Sequence, residues 1–286
     1  MRWVGFGVGT AVAAVLSMQQ AYAASPLVRA AESSVYLDLG AADTQYHEDL
    51  SPSDEESGLT GAARLGVSVL ETLPSLHGLD FYAALESAAQ VGTLNYTGQT
   101  EYFNGSSFAY APYKTTDNAV FDRVEGRAGL GIPMGGGAES IPFLEAGYQI
   151  WSRNDKFDGG TQTENYHAAL VGGGYKLDIP AGRLVLSATA EVDAIVAAGV
   201  TLQNFYGNNQ NQDLGLGISP EERLELAADD ALTQHFHLRF STFVEHFTYV
   251  ASKEQFIDYY GYPIYLQEPS SRTTQYGATV GFGYSF

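Results

Sequence analysis

The chain has 286 residues, with 33 Asp and Glu against 14 Lys and Arg, and it contains no cysteine. The acidic balance makes nucleic acid a poor partner, because binding it relies on clustered Lys and Arg, and the missing cysteine excludes thiol nucleophiles, thiolate metal sites and disulfides. A content of 32 Gly, 19 Tyr and 15 Phe favours strands over helices.

The N-terminal segment has the features of a secretory signal peptide. It begins with a positive charge at Arg2, continues with an uncharged run over 4–16, and reaches a small-residue cleavage position at Ala23. The run is shorter than the about 20 apolar residues that a membrane-spanning helix needs. We therefore predict a signal peptide over 1–23, export through the Sec pathway, and one mature domain over 24–286.

Alternation of apolar and polar residues with a period of two predicts ten strands in this domain. Strand counts of eight and twelve remain as alternatives. The predicted strands lie near 34–47, 58–71, 79–96, 115–132, 141–154, 163–178, 182–201, 220–229, 235–250 and 272–286.

The links between these strands alternate in length. The links after the even-numbered strands are short, whereas those after the odd-numbered strands are longer and more polar. An up-and-down transmembrane barrel produces this order, because one rim carries tight turns and the other carries exposed loops. We therefore predict an all-β fold, a transmembrane up-and-down antiparallel β-barrel. Its outer loops are predicted at 48–57, 97–114, 155–162, 202–219 and 251–271.

Individual strands show the two faces that such a barrel needs. In the second predicted strand Leu65 and Val67 fall on one side, and Arg64 and Ser68 fall on the other. This pattern places apolar side chains toward lipid and polar ones toward the lumen. The sixth strand contains three glycines over 172–174 and has no clear parity, so its faces are left unassigned.

The last strand alternates aromatic and small residues and ends on an aromatic residue. The outward positions include Phe282, Tyr284 and Phe286. This pattern resembles the C-terminal signature of bacterial outer-membrane β-barrel proteins, in which a terminal Phe and alternating aromatics are read by the barrel-assembly machinery. The resemblance identifies no subfamily. It implies location in the outer membrane of a Gram-negative bacterium, with membrane lipid and the assembly machinery as partners.

The lumen-facing positions of the predicted barrel carry many charges. A ten-stranded lumen is only slightly wider than one that side chains can fill, so we predict that these charges form a salt-bridged network that plugs the barrel. A narrow porin for small solutes is the alternative. The predicted network consists of Arg64, Glu86, Arg123, Glu125, Arg127, Glu145, Glu191, Asp193, Arg239 and Glu245.

Two outer loops are rich in aromatic residues. Tyrosines on loops of a rigid scaffold can bind partners, since they offer large contact area at little entropic cost. Alternatively, they pack among themselves or belong to the interfacial girdle. We consider surface recognition of an extracellular ligand, which the sequence does not identify, or a role in envelope structure. The candidate residues in the fifth loop are Phe256, Tyr259, Tyr260, Tyr262 and Tyr265.

No metal or cofactor is predicted. His235 and His237 are two apart on a predicted strand and so share a face, but no third ligand is evident. The acidic run over 54–56 in the first outer loop is typical of a solvated loop.

An outer-membrane enzyme is the remaining hypothesis. Omptin proteases also have ten strands, and they use paired acids and an Asp–His couple at the outer end of the barrel. Here the pair Asp229 and Asp230 falls at a periplasmic turn, and no nucleophile with a neighbouring base can be nominated. We therefore expect a non-enzymatic protein, with an omptin-like or lipid-modifying enzyme as the alternative.

Overall fold

The fold is described from a computed structural model of the full chain. None of the helices in the described part of the chain has the length and apolar character needed to span a membrane. The described residues are 24–73, 78–103, 108–157, 160–203, 211–259 and 262–286.

One short helix precedes a series of antiparallel strands. The elements are α1 (Pro26–Glu32), β1 (Ser34–Glu48), β2 (Glu55–Thr72), β3 (Asp80–Phe103), β4 (Phe108–Pro133), β5 (Glu139–Phe157), β6 (Gly160–Ala181), β7 (Leu184–Gln203), β8 (Gln212–Gly215), β9 (Ser219–Ala231), β10 (Phe236–Tyr249), β11 (Gln255–Tyr259), β12 (Tyr262–Leu266) and β13 (Ser271–Ser285).

Ten long strands form a closed barrel in which each pairs with its neighbours in the chain. The barrel closes because the first long strand, β1, pairs in antiparallel register with the last, β13. β8 adds a short pairing to β7, and β11 and β12 form a separate hairpin. The predicted all-β, ten-stranded, up-and-down barrel is confirmed.

The two ends of the barrel differ. The terminal end carries α1, Phe286 and short turns, such as the one at Gly182, whose φ of 68° suits a residue without a side chain. The loop end carries the remaining links. The predicted alternation of short and long links holds only in part, because the links after β3 and β5 at the loop end span only 104–107 and 158–159.

The strands continue further at the loop end than the sequence predicts. β3 and β4 remain paired as far as Phe103 and Phe108, so most of the predicted loop 97–114 is a hairpin. β5 and β6 remain paired to Phe157 and Gly160. Backbone hydrogen bonds do not require apolar side chains, so the pairing continues past the predicted ends of these strands.

The faces of the strands follow the predicted alternation and assign the sixth long strand, which the sequence left open. In β6 the even-numbered residues point inward, so Leu170 is buried and Val171 is exposed. In β7 the alternation changes at Ala197, whose φ of 49° marks an irregularity. Ile195 and Ala198 are therefore both buried, although they are three residues apart.

Helix α1 lies inside the terminal end of the barrel. Ser25 caps it by accepting a hydrogen bond from the amide of Val28 at 3.1 Å, and Pro26 occupies the first turn. Val28 is fully buried and packs in one cluster with Ile141 and Val185 from the barrel wall. The sequence prediction missed this helix because seven residues are too few to establish a helical period.

Candidate functional site in the barrel interior

The middle of the lumen contains a network of charged side chains. All ten residues predicted for it lie inside the barrel; eight of them are buried, and Arg127 and Arg239 are partly buried. We call the part of the network halfway along the barrel the charged layer. It consists of Arg64, Glu86, Arg123, Glu125, Arg127, Glu145, Glu191, Asp193, Glu221, Arg223, Glu225 and Glu245.

Three members of this layer were missed by the sequence prediction. Glu221, Arg223 and Glu225 occupy alternate inward positions of β9. Their spacing of two is the signal that could have found them, since inward residues of a strand recur with that period. The outward polar residue Glu222 obscured the pattern.

Arg127 lies at the centre of one group of carboxylates. Its Nε is 2.5 Å from Glu145 Oε2, its Nη2 is 2.7 Å from Glu191 Oε1, and it also contacts Glu125. The three carboxylates have oxygens within 4.8 Å of one another, a spacing that could hold a metal ion. The guanidinium contacts all three, so it supplies the cation that this cluster requires.

The other arginines make similar contacts. Arg123 lies 2.6 Å from Glu125 and 3.2 Å from Glu245, and it also contacts Glu221. Arg64 donates to both oxygens of Glu86, at 3.0 and 2.8 Å. The contacts of Arg123 with Glu221 and Glu245 run from β4 to β9 and β10, so paired side chains cross the lumen at this level.

Closer to the loop end, an aromatic layer follows the charged one. Its buried members include Tyr46, Phe121, Trp151, Tyr166 and Phe247, which form one cluster. Arg153 contacts Glu56 and Glu164 beside this cluster. Its guanidinium also lies 4.1, 5.0 and 5.0 Å from the ring centroids of Tyr46, Trp151 and Tyr166. These contacts form a second layer of side chains across the lumen.

Several carboxyl groups at the loop end have raised pKa values, and Glu48 and Glu268 are two of them. Burial raises the pKa of Glu48, at the loop end of β1, to about 7, although the hydroxyl of Tyr46 donates to it at 2.7 Å. Burial and the neighbouring carboxylate of Glu164 raise the pKa of Glu268 to about 8. These groups therefore take up protons near neutral pH.

Helix α1 is attached to the barrel wall by ion pairs. Arg29 donates to both oxygens of Asp80, at 3.0 and 2.9 Å, and Lys176 lies 2.5 Å from Glu32. A polar cavity separates the helix from the charged layer. Its lining includes Ala31, Glu32, Tyr36, Arg64, Ser68 and Arg127.

The two histidines do not share a face as the sequence predicted. β10 begins at Phe236, so His235 lies in the turn, where its ring stacks on Tyr284 at 5.6 Å. His237 points inward and is buried. The two rings therefore do not face one common site.

His237 instead connects an acid and a hydroxyl. Its Nδ1 lies 2.5 Å from Asp229 Oδ1, and its Nε2 lies 2.5 Å from Ser285 Oγ. The sequence offered no base within reach of a nucleophile, and the structure provides this hydrogen-bonded set at the terminal end. It could not be foreseen, because the three residues come from three strands whose register the sequence does not specify.

The surface residues predicted for recognition lie on the β11–β12 hairpin. Phe256 and Tyr265 pair edge to face at 5.9 Å and remain 61% and 74% exposed. Tyr259 and Tyr262 are opposite each other in the backbone register. Tyr260 lies outside the described residues.

The aromatic residues of the last strand point outward. Phe282, Tyr284 and Phe286 are all exposed on the barrel wall at the terminal end. The ring of Tyr284 also packs against Phe236 at 5.2 Å. This position suits contact with lipid.

Comparison with known proteins supports the fold and leaves the subfamily open. No family model matches the sequence, and no curated protein matches it. The outer membrane protease OmpT from Escherichia coli is similar in structure, with a TM-score of 0.54 and 8% identity, over 89% of this chain and 97% of that chain. The transport unit of the autotransporter AIDA-I from Escherichia coli has a TM-score of 0.45 and 12% identity, over 88% of this chain and 90% of that chain. The chain therefore has the fold of bacterial outer-membrane β-barrels.

Proposed function

We propose that the protein is a non-enzymatic, non-conducting barrel of the outer membrane that holds its loop-end hairpins at the cell surface. The observation that carries this proposal is the succession of side-chain layers across the lumen. α1 with its apolar contacts, the charged layer and the aromatic layer follow one another along the barrel. The terminal end then faces the periplasm, because barrels of this class have their short turns there.

The side-chain contacts across the lumen favour a non-conducting barrel over a porin. A porin of the outer membrane keeps a polar, water-filled channel. Here Arg123 spans from β4 to Glu221 on β9 and Glu245 on β10, and the rings of Phe121 and Phe247 stack at 6.0 Å above it. A solute would have to break both sets of contacts to pass.

Conductance of the purified, refolded protein in planar lipid bilayers tests this closure. We expect no steady currents from the wild type, with a known porin in the same bilayers as the positive control. Large, stable current steps would contradict the closed barrel and favour the narrow porin.

Recognition at the cell surface is the second part of the proposal, and the exposed pair Phe256 and Tyr265 supports it. Partly buried Ile257 and Leu266 hold the hairpin against the aromatic layer, so the exposed pair stands on a fixed base. Exposed aromatic rings on such a base can stack on sugars or apolar side chains.

Binding of intact expressing cells to an immobilised glycan array tests recognition. We expect wild-type cells to bind above cells without the protein, and cells with Phe256→Ser and Tyr265→Ser together to lose this binding. The outward polar pair Gln45→Ala and Asn95→Ala is the matched control, which should bind as the wild type does. Equal binding by all variants would remove the hairpin as the recognition surface.

The absence of catalysis is also part of the proposal. At the loop end, the carboxylates of Glu48, Glu56 and Glu164 are engaged by Tyr46 or Arg153. The acid and histidine pair lies at the opposite end. The likeness to OmpT concerns the fold, so it transfers no activity. Hydrolysis of peptide or lipid substrates by the refolded protein would contradict the proposal that it is not an enzyme.

A further inference from the structure

Asp229, His237 and Ser285 have the hydrogen-bond order of a catalytic acid, base and nucleophile. Both bonds are 2.5 Å long, and all three side chains are buried inside the terminal end. The hydroxyl of Ser285 has a third neighbour. It lies 2.8 Å from the carbonyl oxygen of Ala30 in α1.

The third neighbour decides the direction of the bonds. A carbonyl oxygen can only accept, and a serine hydroxyl has one hydrogen to donate. The hydroxyl of Ser285 therefore donates to the carbonyl of Ala30 and accepts from the N–H at Nε2 of His237, and a second proton, shared between Nδ1 of His237 and Oδ1 of Asp229, makes the other bond. A nucleophilic serine must instead pass its proton to the histidine. This arrangement holds the helix and leaves the serine without the base that nucleophilic attack needs.

The carbonyl of Ala30 lies in the last turn of α1, where carbonyls lack partners within the helix. Ser285 satisfies this carbonyl, and Ser34 satisfies the carbonyl of Ala31 at 2.9 Å. Ser285 belongs to the final strand, which pairs with β1 and β10. The cap therefore exists only when the barrel is closed.

We propose that Asp229, His237 and Ser285 form a latch that holds α1 in the terminal end of the closed barrel as a plug. The helix also covers the polar cavity, because its residues Ala31 and Glu32 form part of the lining. Release of the latch would admit solvent to that cavity from the terminal end, while the charged layer beyond it remains in place.

A single thiol in the cavity can report the position of the helix. Ser68 lines the cavity and is buried. The chain has no cysteine, so the substitution Ser68→Cys introduces a single thiol at this position. The measurement is the rate of its modification by a small methanethiosulfonate reagent in the refolded mature chain in detergent. We expect slow modification in this parent, and an acceleration of about tenfold when His237→Leu or Ser285→Ala is added, since one lost buried hydrogen bond corresponds to about that factor.

Matched controls separate the latch from general loosening. His246→Leu removes another hydrogen-bonded histidine of β10, and Ser271→Ala removes a buried serine at the loop end of β13. Neither should accelerate the reaction, and heat-modifiable gel mobility verifies that each variant is folded. If Ser285→Ala fails to fold, His237→Leu provides the same test.

Two results would overturn the latch. The first is an unchanged rate of Ser68→Cys modification in the folded His237→Leu variant. The second is covalent labelling of Ser285 in the wild type by a fluorophosphonate probe, detected by mass spectrometry, because it would show a free and activated nucleophile.

Discussion

The buried arginines of the charged layer make its many carboxylates compatible with folding. The charged layer contains four arginines and eight carboxylates, so each guanidinium is shared between several acids. Charges removed from water are stable only when they are paired and hydrogen-bonded. Loss of one arginine therefore affects more than one carboxylate.

Replacement of Arg127 by Ala tests this dependence. Glu125, Glu145 and Glu191 would lose their common partner, and breaking a buried pair costs about 3–5 kcal/mol. We expect a clear fall in the free energy of unfolding, measured by urea titration of the refolded barrel. Arg183→Ala is the control, because the Arg183 side chain is 71% exposed and such surface pairs contribute about 1 kcal/mol or less. Equal effects of the two variants would contradict the network.

Glu268 gives the loop end a defined dependence on pH. Its pKa is raised from 4.5 to about 8 in the folded protein, so between these values the folded state holds a proton that the unfolded state releases. Stability then falls as the pH rises through this window. We expect the melting temperature to decrease between about pH 5 and pH 8. The unfolded and folded pKa values of Glu268, 4.5 and about 8, set this range.

The substitution Glu268→Gln should flatten this profile, because Gln cannot release a proton. Glu55→Gln is the control, since the Glu55 side chain is 60% exposed near the same end. An identical slope in the wild type and in Glu268→Gln, measured by thermal melting at several pH values, would assign the dependence to other groups.

At the level of elements, the sequence predicts strands well wherever the outward face is apolar. The alternation in β2 and β13 was confirmed, because the outward positions there are mostly apolar and the inward positions are mostly polar or small. The hairpin extensions, helix α1 and the shift at Ala197 could not be predicted. They depend on backbone pairing and on contacts across the lumen, which leave little trace in the local pattern.

The candidate site shows the same division. The inward arginines and glutamates follow from strand parity, so Arg123 and Glu125 were found. Their partners across the barrel depend on its closure and stagger, which one sequence does not specify. For this reason Arg123 could not be paired with Glu221, nor His237 with Ser285.

The seam between β1 and β13 requires two glycines. A side-chain carbon at Gly40 would lie 2.0 Å from the backbone oxygen of Ala278, and one at Gly281 would lie 2.1 Å from that of Leu37. Backbone atoms cannot move aside without breaking the pairing. We expect Gly40→Ala and Gly281→Ala each to reduce the yield of folded barrel, measured by heat-modifiable gel mobility.

Gly61→Ala is the matched control for this seam. At Gly61 the added carbon would lie 3.7 Å from the nearest backbone oxygen, an ordinary contact, so folding should proceed as in the wild type. Normal folding of Gly40→Ala would show that the seam has more room than the structure indicates.

For the whole molecule, the proposed closure depends on layers that follow one another along the barrel. α1 lies in the terminal end, the charged layer crosses the middle of the lumen and the aromatic layer lies closer to the loop end. Barriers placed in series must all be removed before a continuous path exists. Opening of one layer therefore changes access from one side only.

Removal of residues 24–32 tests this series arrangement. The shortened chain lacks α1, so a thiol at Ser68→Cys should react quickly. It should still show no steady current in planar bilayers, because Arg123 and the stacked rings of Phe121 and Phe247 remain. Heat-modifiable mobility must first show that the shortened barrel folds. Stable currents from the folded protein would mean that α1 alone closes the path and that the inner layers leave room for ions.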